Sequence, residues 1–425
     1  MDGKLYFACI AFVFCICAVP SLGISELKLV HVLFAHKLYA PEQDDVEKNE
    51  TSIPQILSYE HFISVETTMP ESAYLNLYNL GVYLRETYNE FLGDTYMSKT
   101  VKTRTTEFVP SILSSQLVNA GLWPPLGNQT WNENLNWQPI PSDYLELKED
   151  TLLLGSLCPK FISQMNEVLQ TDEMRKTMAP YQSLFDHLSR YTKRNISTPS
   201  DVAALYATLE TMADRKKILP HWANDVFPDG TMSNVTLLEY DLLSATPLQR
   251  QLNGGTLLAE IIGNSLKYER GDISRERKMM LYSGDARNIV GVLKNLDFWS
   301  PHIPEEAAAL IFELHLDNDT GAYGMKTNYY TGVDGTTISL LLPNCHRTEI
   351  CPLQTLIHNT FATIPENPHS LCGWFVEAAI QTETQSEESK PSDSSNNSGS
   401  TLHRETNVMF TLMLIYFTAR SSFLR

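Results

Sequence analysis

Two short apolar runs, far apart in the chain, constrain this sequence most. Residues 27–34 read Leu-Lys-Leu-Val-His-Val-Leu-Phe, with Pro41 closing the segment, and residues 278–283 read Lys-Met-Met-Leu-Tyr-Ser. Runs of this length and apolar content are what buried β-strands need. Residues 151–266 between them read mostly as helix, broken by loops around Asn195 and around Phe227-Pro228-Asp229-Gly230. Leu77, Leu80, Val82, Leu84, Tyr88 and Phe91 recur at helical spacing within 74–92, and a second helix ends at Pro124-Pro125. Gly284 is expected to turn the chain from the second strand into a helix carrying Ile289, Val290 and Leu296, with later strands at 310–316, 325–330 and 336–342. Strands framing a long helical middle predict an α/β fold with a helical insertion.

The ends of the chain differ in character from its middle. Lys4, an apolar stretch over 5–19 and the small residues Ser21 and Gly23 make residues 1–23 a secretory signal peptide. Acceptor triplets for N-glycosylation follow at Asn49, Asn128, Asn195, Asn234, Asn318 and Asn396. Residues 376–407 are polar and nearly devoid of large apolar side chains, so they cannot offset the entropy of ordering and are expected to be a disordered linker. The tail 408–425 holds an apolar stretch over 408–419, shorter than the ~20 residues that span a bilayer. The expected location is therefore extracellular or a secretory or lysosomal lumen, with anchoring through 408–419 as the alternative.

Charge and cysteines narrow the partners. The formal net charge is -18, from 50 acids against 32 bases, which excludes nucleic acid as a main partner. Cys9, Cys15 and Cys17 leave with the signal, and Cys158, Cys345, Cys351 and Cys372 remain for two disulfides, with three pairings open. Cys345 and Cys351 enclose five residues; with no second ligand cluster, a small surface disulfide is preferred there over a metal loop. The sequence asks for neither metal nor cofactor.

The segments Leu80 to Leu92, Trp137-Gln138-Pro139-Ile140-Pro141 and Gly254-Gly255-Thr256-Leu257, in that order, resemble those of the histidine acid phosphatases, nearest the secreted animal prostatic, lysosomal and insect venom forms. Leu80-Gly81-Val82-Tyr83-Leu84-Arg85 and the residues through Leu92 are similar to that family's Leu-Gly-x-x-Leu-Arg-x-x-Tyr-x-x-Phe-Leu helix. Trp137-Gln138-Pro139-Ile140-Pro141 is similar to a family turn, and Gly254-Gly255-Thr256-Leu257 to a family helix start. The resemblance implies a histidine phosphatase (phosphoglycerate mutase-like) α/β core over 24–125 and 250–375, with a mixed central sheet flanked by helices and a smaller helical lobe over 126–249. It also implies the disulfides Cys158–Cys372 and Cys345–Cys351. The partners it allows are a phosphate monoester or another small ligand, and a second copy of the chain.

The same resemblance exposes a depleted catalytic set. The family's Arg-His-Gly-x-Arg-x-Pro reads Ala35-His36-Lys37-Leu38-Tyr39-Ala40-Pro41 here, so His36 occupies the nucleophile position while Ala35 and Tyr39 replace two phosphate-binding arginines. A third arginine position is Pro110, in Arg104-Thr105-Thr106-Glu107-Phe108-Val109-Pro110. The late His-Asp pair is replaced by Asp285 and Ala286, Asp285 being a doubtful acid. Arginine suits phosphate because its fork makes bidentate, charge-assisted hydrogen bonds. Lys37 and Arg287 are the nearby candidates for phosphate contact. A carboxylate at Asp285 facing His36 would favour the imidazolium, which cannot attack phosphorus. The expectation is a pseudophosphatase with a binding or secreted-component role; the alternative is an acid phosphatase working through a phosphohistidine at His36 with a non-standard site.

Overall fold

A computed structural model describes residues 25–40, 68–345 and 348–374. The segments expected at 1–23, 376–407 and 408–425, and the acceptors Asn49 and Asn396, lie outside the described residues.

The two apolar runs become neighbouring strands at the heart of one mixed sheet. Its strands are β1 (Ser25–His36), β2 (Val101–Thr105), β3 (Met279–Asp285), β4 (Ala309–Asp317), β5 (Tyr323–Tyr330), β6 (Thr337–Leu340) and β7 (Ile350–Pro352). The order is β2-β3-β1-β4-β5-β6, with β7 added on β5. β1 runs parallel to β3, from Val30 opposite Met279 to His36 opposite Asp285, and antiparallel to β4 on its other side. Because β1 has a neighbour on both edges and helices on both faces, its buried stretch from Leu29 to Ala35 is apolar apart from His31.

Side chains alternate across β1. Val30, Val32 and Phe34 face a layer made by α1 (Glu71–Leu92) and α2 (Val109–Leu122), while Leu29, Leu33 and Ala35 face a layer containing α9 (Thr256–Arg270) and α10 (Ala286–Asn295). The helical middle supplies α3 (Pro159–Leu169), α4 (Asp172–Met178), α5 (Gln182–Thr192), α6 (Pro199–Asp214), α7 (Thr231–Leu242) and α8 (Pro247–Arg250); α11 (Leu353–Thr360) and α12 (Pro368–Cys372) follow the sheet. Gly81 allows α1 and α2 to touch, since a Cβ there would stand 2.1 Å from the Val118 carbonyl oxygen. Gly254, at φ +98, leads into α9, where a Cβ would stand 2.3 Å from the backbone of Gly291.

Three sequence expectations need correction. Gly284 does not turn the chain: β3 continues through it to Asp285, and the turn into α10 is made by Asp285 as the helix N-cap. β2 was not expected, because Thr103 and Arg104 look too polar for a buried strand. Arg104 is buried against Asp150 at 2.7 Å, which removes that conflict. The disulfides are Cys158–Cys372 and Cys345–Cys351, but the second is not superficial: both its cysteines are buried, in the same core as Leu353 and Leu356.

Candidate active site

His36 is the last residue of β1, at the carboxyl end where open α/β sheets present their sites. It is buried, and its Nδ1 lies 2.8 Å from the carbonyl oxygen of Lys37. A carbonyl only accepts, so Nδ1 carries the hydrogen and the lone pair sits on Nε2. Burial lowers the His36 pKa, and the Lys37 carbonyl and the charge of Asp285 only partly oppose this. Desolvation thus opposes the imidazolium that the charge of Asp285 favours.

The groups around His36 do not serve an anion. Ala35 offers no functional group, and its backbone N–H bonds the Ala308 carbonyl. Tyr39 is buried and donates its hydroxyl hydrogen to Glu306. Pro110 lies in the first turn of α2, so one backbone donor is missing from that helix N-terminus. Ser111 fastens this turn to β3, donating to the Ser283 carbonyl at 2.7 Å.

Asp285 occupies the N-terminus of α10 as an internal anion. Its carboxylate accepts from the Arg287 N–H at 2.8 Å, and Asn288 accepts from the Asp285 N–H at 3.0 Å, completing a capping box. A helix start already satisfied by its own carboxylate has less to offer a phosphate. Ala286 follows as the first residue of the helix.

The two candidate phosphate contacts are both engaged by carboxylates. Lys37 Nζ lies 3.2 Å from Glu210 and 3.9 Å from Asp214. Burial pulls the Lys37 pKa down, but Glu210 and Asp214 outweigh it and leave the ammonium above its ordinary value. Arg287 Nη2 lies 2.9 Å from Glu239 Oε1.

Space is also short beside His36. The pocket bounded by His36, Thr106, Phe108, Pro110, Asp285 and Asn288 has a volume of about 10 Å³, room for one water at most. A larger cavity of about 460 Å³ opens next to it, sharing Asp285. Its walls come from one face of α6, with Ala203, Tyr206, Ala207 and Glu210, and one face of α7, with Thr236, Glu239 and Tyr240. Three- and four-residue spacings put each set on a single helix face.

Sequence reasoning missed Glu210, Asp214, Glu239 and Glu306. None belongs to a motif near His36; only the packing of α6, α7 and the approach to β4 brings them there. Glu306 is buried, accepts from Tyr39 and from the Lys37 N–H, and has its pKa raised by burial to about 7. Among the described residues no group of three or more His, Cys, Asp or Glu side chains is placed to hold a metal ion. The acceptors Asn128, Asn195, Asn234 and Asn318 are all exposed.

A mixed sheet with a histidine ending its first strand, helices on both faces and a helical insertion over the strand ends defines a histidine phosphatase fold. The Hafnia alvei phytase complexed with myo-inositol hexakis sulphate shares it, with a TM-score of 0.59 at 16% identity over 82% of this chain and 98% of that one. The model of the histidine phosphatase superfamily (branch 2) matches residues 28–330, and the chain belongs to that family. Venom acid phosphatase Acph-1 of Apis mellifera is 35% identical over 349 residues, 82% of this chain and 88% of the relative. Prostatic acid phosphatase of Rattus norvegicus is 30% identical over 303 residues, 69% and 77% of the two chains.

Proposed function

We propose that this chain is a secreted, glycosylated member of the family that does not turn over phosphate monoesters and acts by binding. The observation that carries this reading is that both cations near His36 are already held by carboxylates, Lys37 by Glu210 at 3.2 Å and Arg287 by Glu239 at 2.9 Å. Electrostatics point the same way. Loss of three charged hydrogen-bonding groups, at about 1.5–3 kcal/mol each, removes on the order of 6 kcal/mol, or about four powers of ten in rate. Loss of the leaving-group acid removes about 10²–10⁴-fold more, though such effects do not add simply. Secretion is supported by the N-terminal segment, the four exposed acceptor asparagines and the two disulfides, and is in keeping with the venom relative. Among the described residues no helix is long and apolar enough to cross a membrane.

A second reading, an acid phosphatase with a non-standard site, is favoured by one observation: His36 Nδ1 is bound to the Lys37 carbonyl, which leaves the Nε2 lone pair for attack, and burial lowers the pKa of the ring. Hydrolysis of p-nitrophenyl phosphate by the purified protein between pH 4 and 7, beside His36→Ala, separates the two. The expected result is equal, background-level rates. Turnover that vanishes in His36→Ala establishes the second reading instead.

A further inference from the structure

Arg215-Lys216-Lys217 is a run of three adjacent cations in an acidic chain, and Ile218-Leu219-Pro220 follows it. α6 ends just before the run, at Asp214; the Lys216 N–H then bonds the Ala213 carbonyl and the Lys217 N–H the Met212 carbonyl, both at 2.8 Å. Lys216 stands there at φ +56, the left-handed conformation that commonly ends a helix. Beyond it the chain is held loosely. Among the described residues the backbones of Ile218 and Leu219 make no hydrogen bond, and Ile218 is 94% exposed. The Arg215 guanidinium donates to the Thr68 carbonyl at 2.7 Å, whereas Lys216 and Lys217 are exposed and have no ion-pair partner among the described residues.

The other pairs of adjacent cations in the described residues are protected. Arg175-Lys176 lies inside α4. Arg277-Lys278 leads straight into β3, and the Lys278 N–H bonds the Thr100 carbonyl at 2.9 Å. Lys193-Arg194 adjoins the acceptor Asn195 and the buried Ile196, whose N–H donates to Ser189 at 2.9 Å.

We propose that the Lys217–Ile218 peptide bond is a processing site for a trypsin-like serine protease, which converts the protein into two chains joined by the Cys158–Cys372 disulfide. Such a protease carries a carboxylate in its specificity pocket that pairs with lysine or arginine, and exposed loop tips are where proteases nick folded proteins. Water adds across the bond: its hydroxyl goes to the Lys217 carbonyl carbon and a hydrogen to the Ile218 nitrogen. The cut divides the chain without releasing either part. Residues up to 217 keep Cys158, β1 and β2, while residues from 218 onward keep Cys372, the Cys345–Cys351 pair and β3 to β7. Because β1 lies between β3 and β4, the two chains also share one sheet. The new carboxyl terminus closely follows the last turn of α6, where Glu210 and Asp214 hold Lys37, so the cut adjoins the candidate site. Cleavage is independent of whether the chain hydrolyses phosphate monoesters.

Limited digestion of the full-length secreted protein by trypsin, with its disulfides intact, tests this by N-terminal sequencing and gels run with and without reductant. The first cut inside residues 68–374 is expected to expose the new N-terminus Ile218-Leu219-Pro220-His221. The product is expected to run as one band without reductant and as two after reduction, because the cut falls between Cys158 and Cys372. Replacing both exposed lysines, Lys216→Gln with Lys217→Gln, is expected to slow this cut about tenfold or more, since the protease's pocket loses its charge partner. Lys193→Gln with Arg194→Gln is expected to leave the rate unchanged. A first cut elsewhere inside 68–374 overturns the inference. So does an unchanged rate in the Lys216/Lys217 variant, or a chain that stays whole inside 68–374 while trypsin trims residues beyond 374.

Discussion

Glu306 shows what a single buried carboxyl does in this molecule. Burial raises its pKa from 4.5 to about 7, against the pull of Tyr39 and the Lys37 N–H. Between those values the folded chain keeps a proton that the unfolded chain has released. Its contribution to stability is therefore complete below about pH 4.5 and is lost as the pH rises through 7. His31 acts in the opposite sense: burial lowers it from 6.5 to about 3, so its contribution is lost as the pH falls below 6.5. Comparing two proteins at each pH isolates the carboxyl. Glu306→Gln retains an acceptor for Tyr39 and cannot ionise. Relative to the wild type it is expected to gain on the order of 1–3 kcal/mol between pH 5 and pH 8. Urea melts at both values measure this, and parallel shifts for the two proteins would sink the assignment.

At the scale of elements, the turn from β3 into α10 decides what kind of site this chain can carry. Asp285 is at once the partner of His36 in the β1–β3 register and the N-cap of α10. A carboxylate there stabilises the helix through the Arg287 N–H and places negative charge where a phosphate would need positive charge. Asp285→Ala is expected to lower stability by about 1–2 kcal/mol, and Asp285→Asn, which still caps, by less than about 0.5 kcal/mol. Chemical denaturation of both variants at pH 7 provides the comparison. If the two lost equal stability, the carboxylate's charge rather than its cap would be the operative feature.

The whole molecule is closed by a cross-link between distant parts. Cys158 immediately precedes α3 and Cys372 ends α12, a separation of 214 residues. The chain-entropy model assigns such a loop about 5 kcal/mol, against about 2 kcal/mol for the separation of 6 between Cys345 and Cys351, although measured values fall short of the model. Replacing both members of the long pair by Ala is expected to cost 2–5 kcal/mol, roughly, and more than the same replacement of the short pair. Urea midpoints of the two double variants settle the order. A larger loss from the Cys345–Cys351 pair would mean that packing of its buried sulfurs, not loop closure, dominates.

The strands with continuous apolar runs and the long helical middle were legible in the sequence alone. These features are local: a five- to eight-residue run carries the whole signal. The sequence also marked the turn after β3, but put it one residue too early, because Gly284 is the stronger turn former in isolation and only the helix that follows makes Asp285 the cap. β2 was illegible because its buried arginine is made tolerable by Asp150, a residue 46 positions further along the chain. For His36, the charge of Asp285 can be read from the sequence, but the burial that opposes it cannot. The small pocket beside His36 and the larger cavity next to it were decided by tertiary structure alone. Glu210, Glu239 and Glu306 come from separate elements, and desolvation, ion pairing and cavity shape exist only once those elements have packed together.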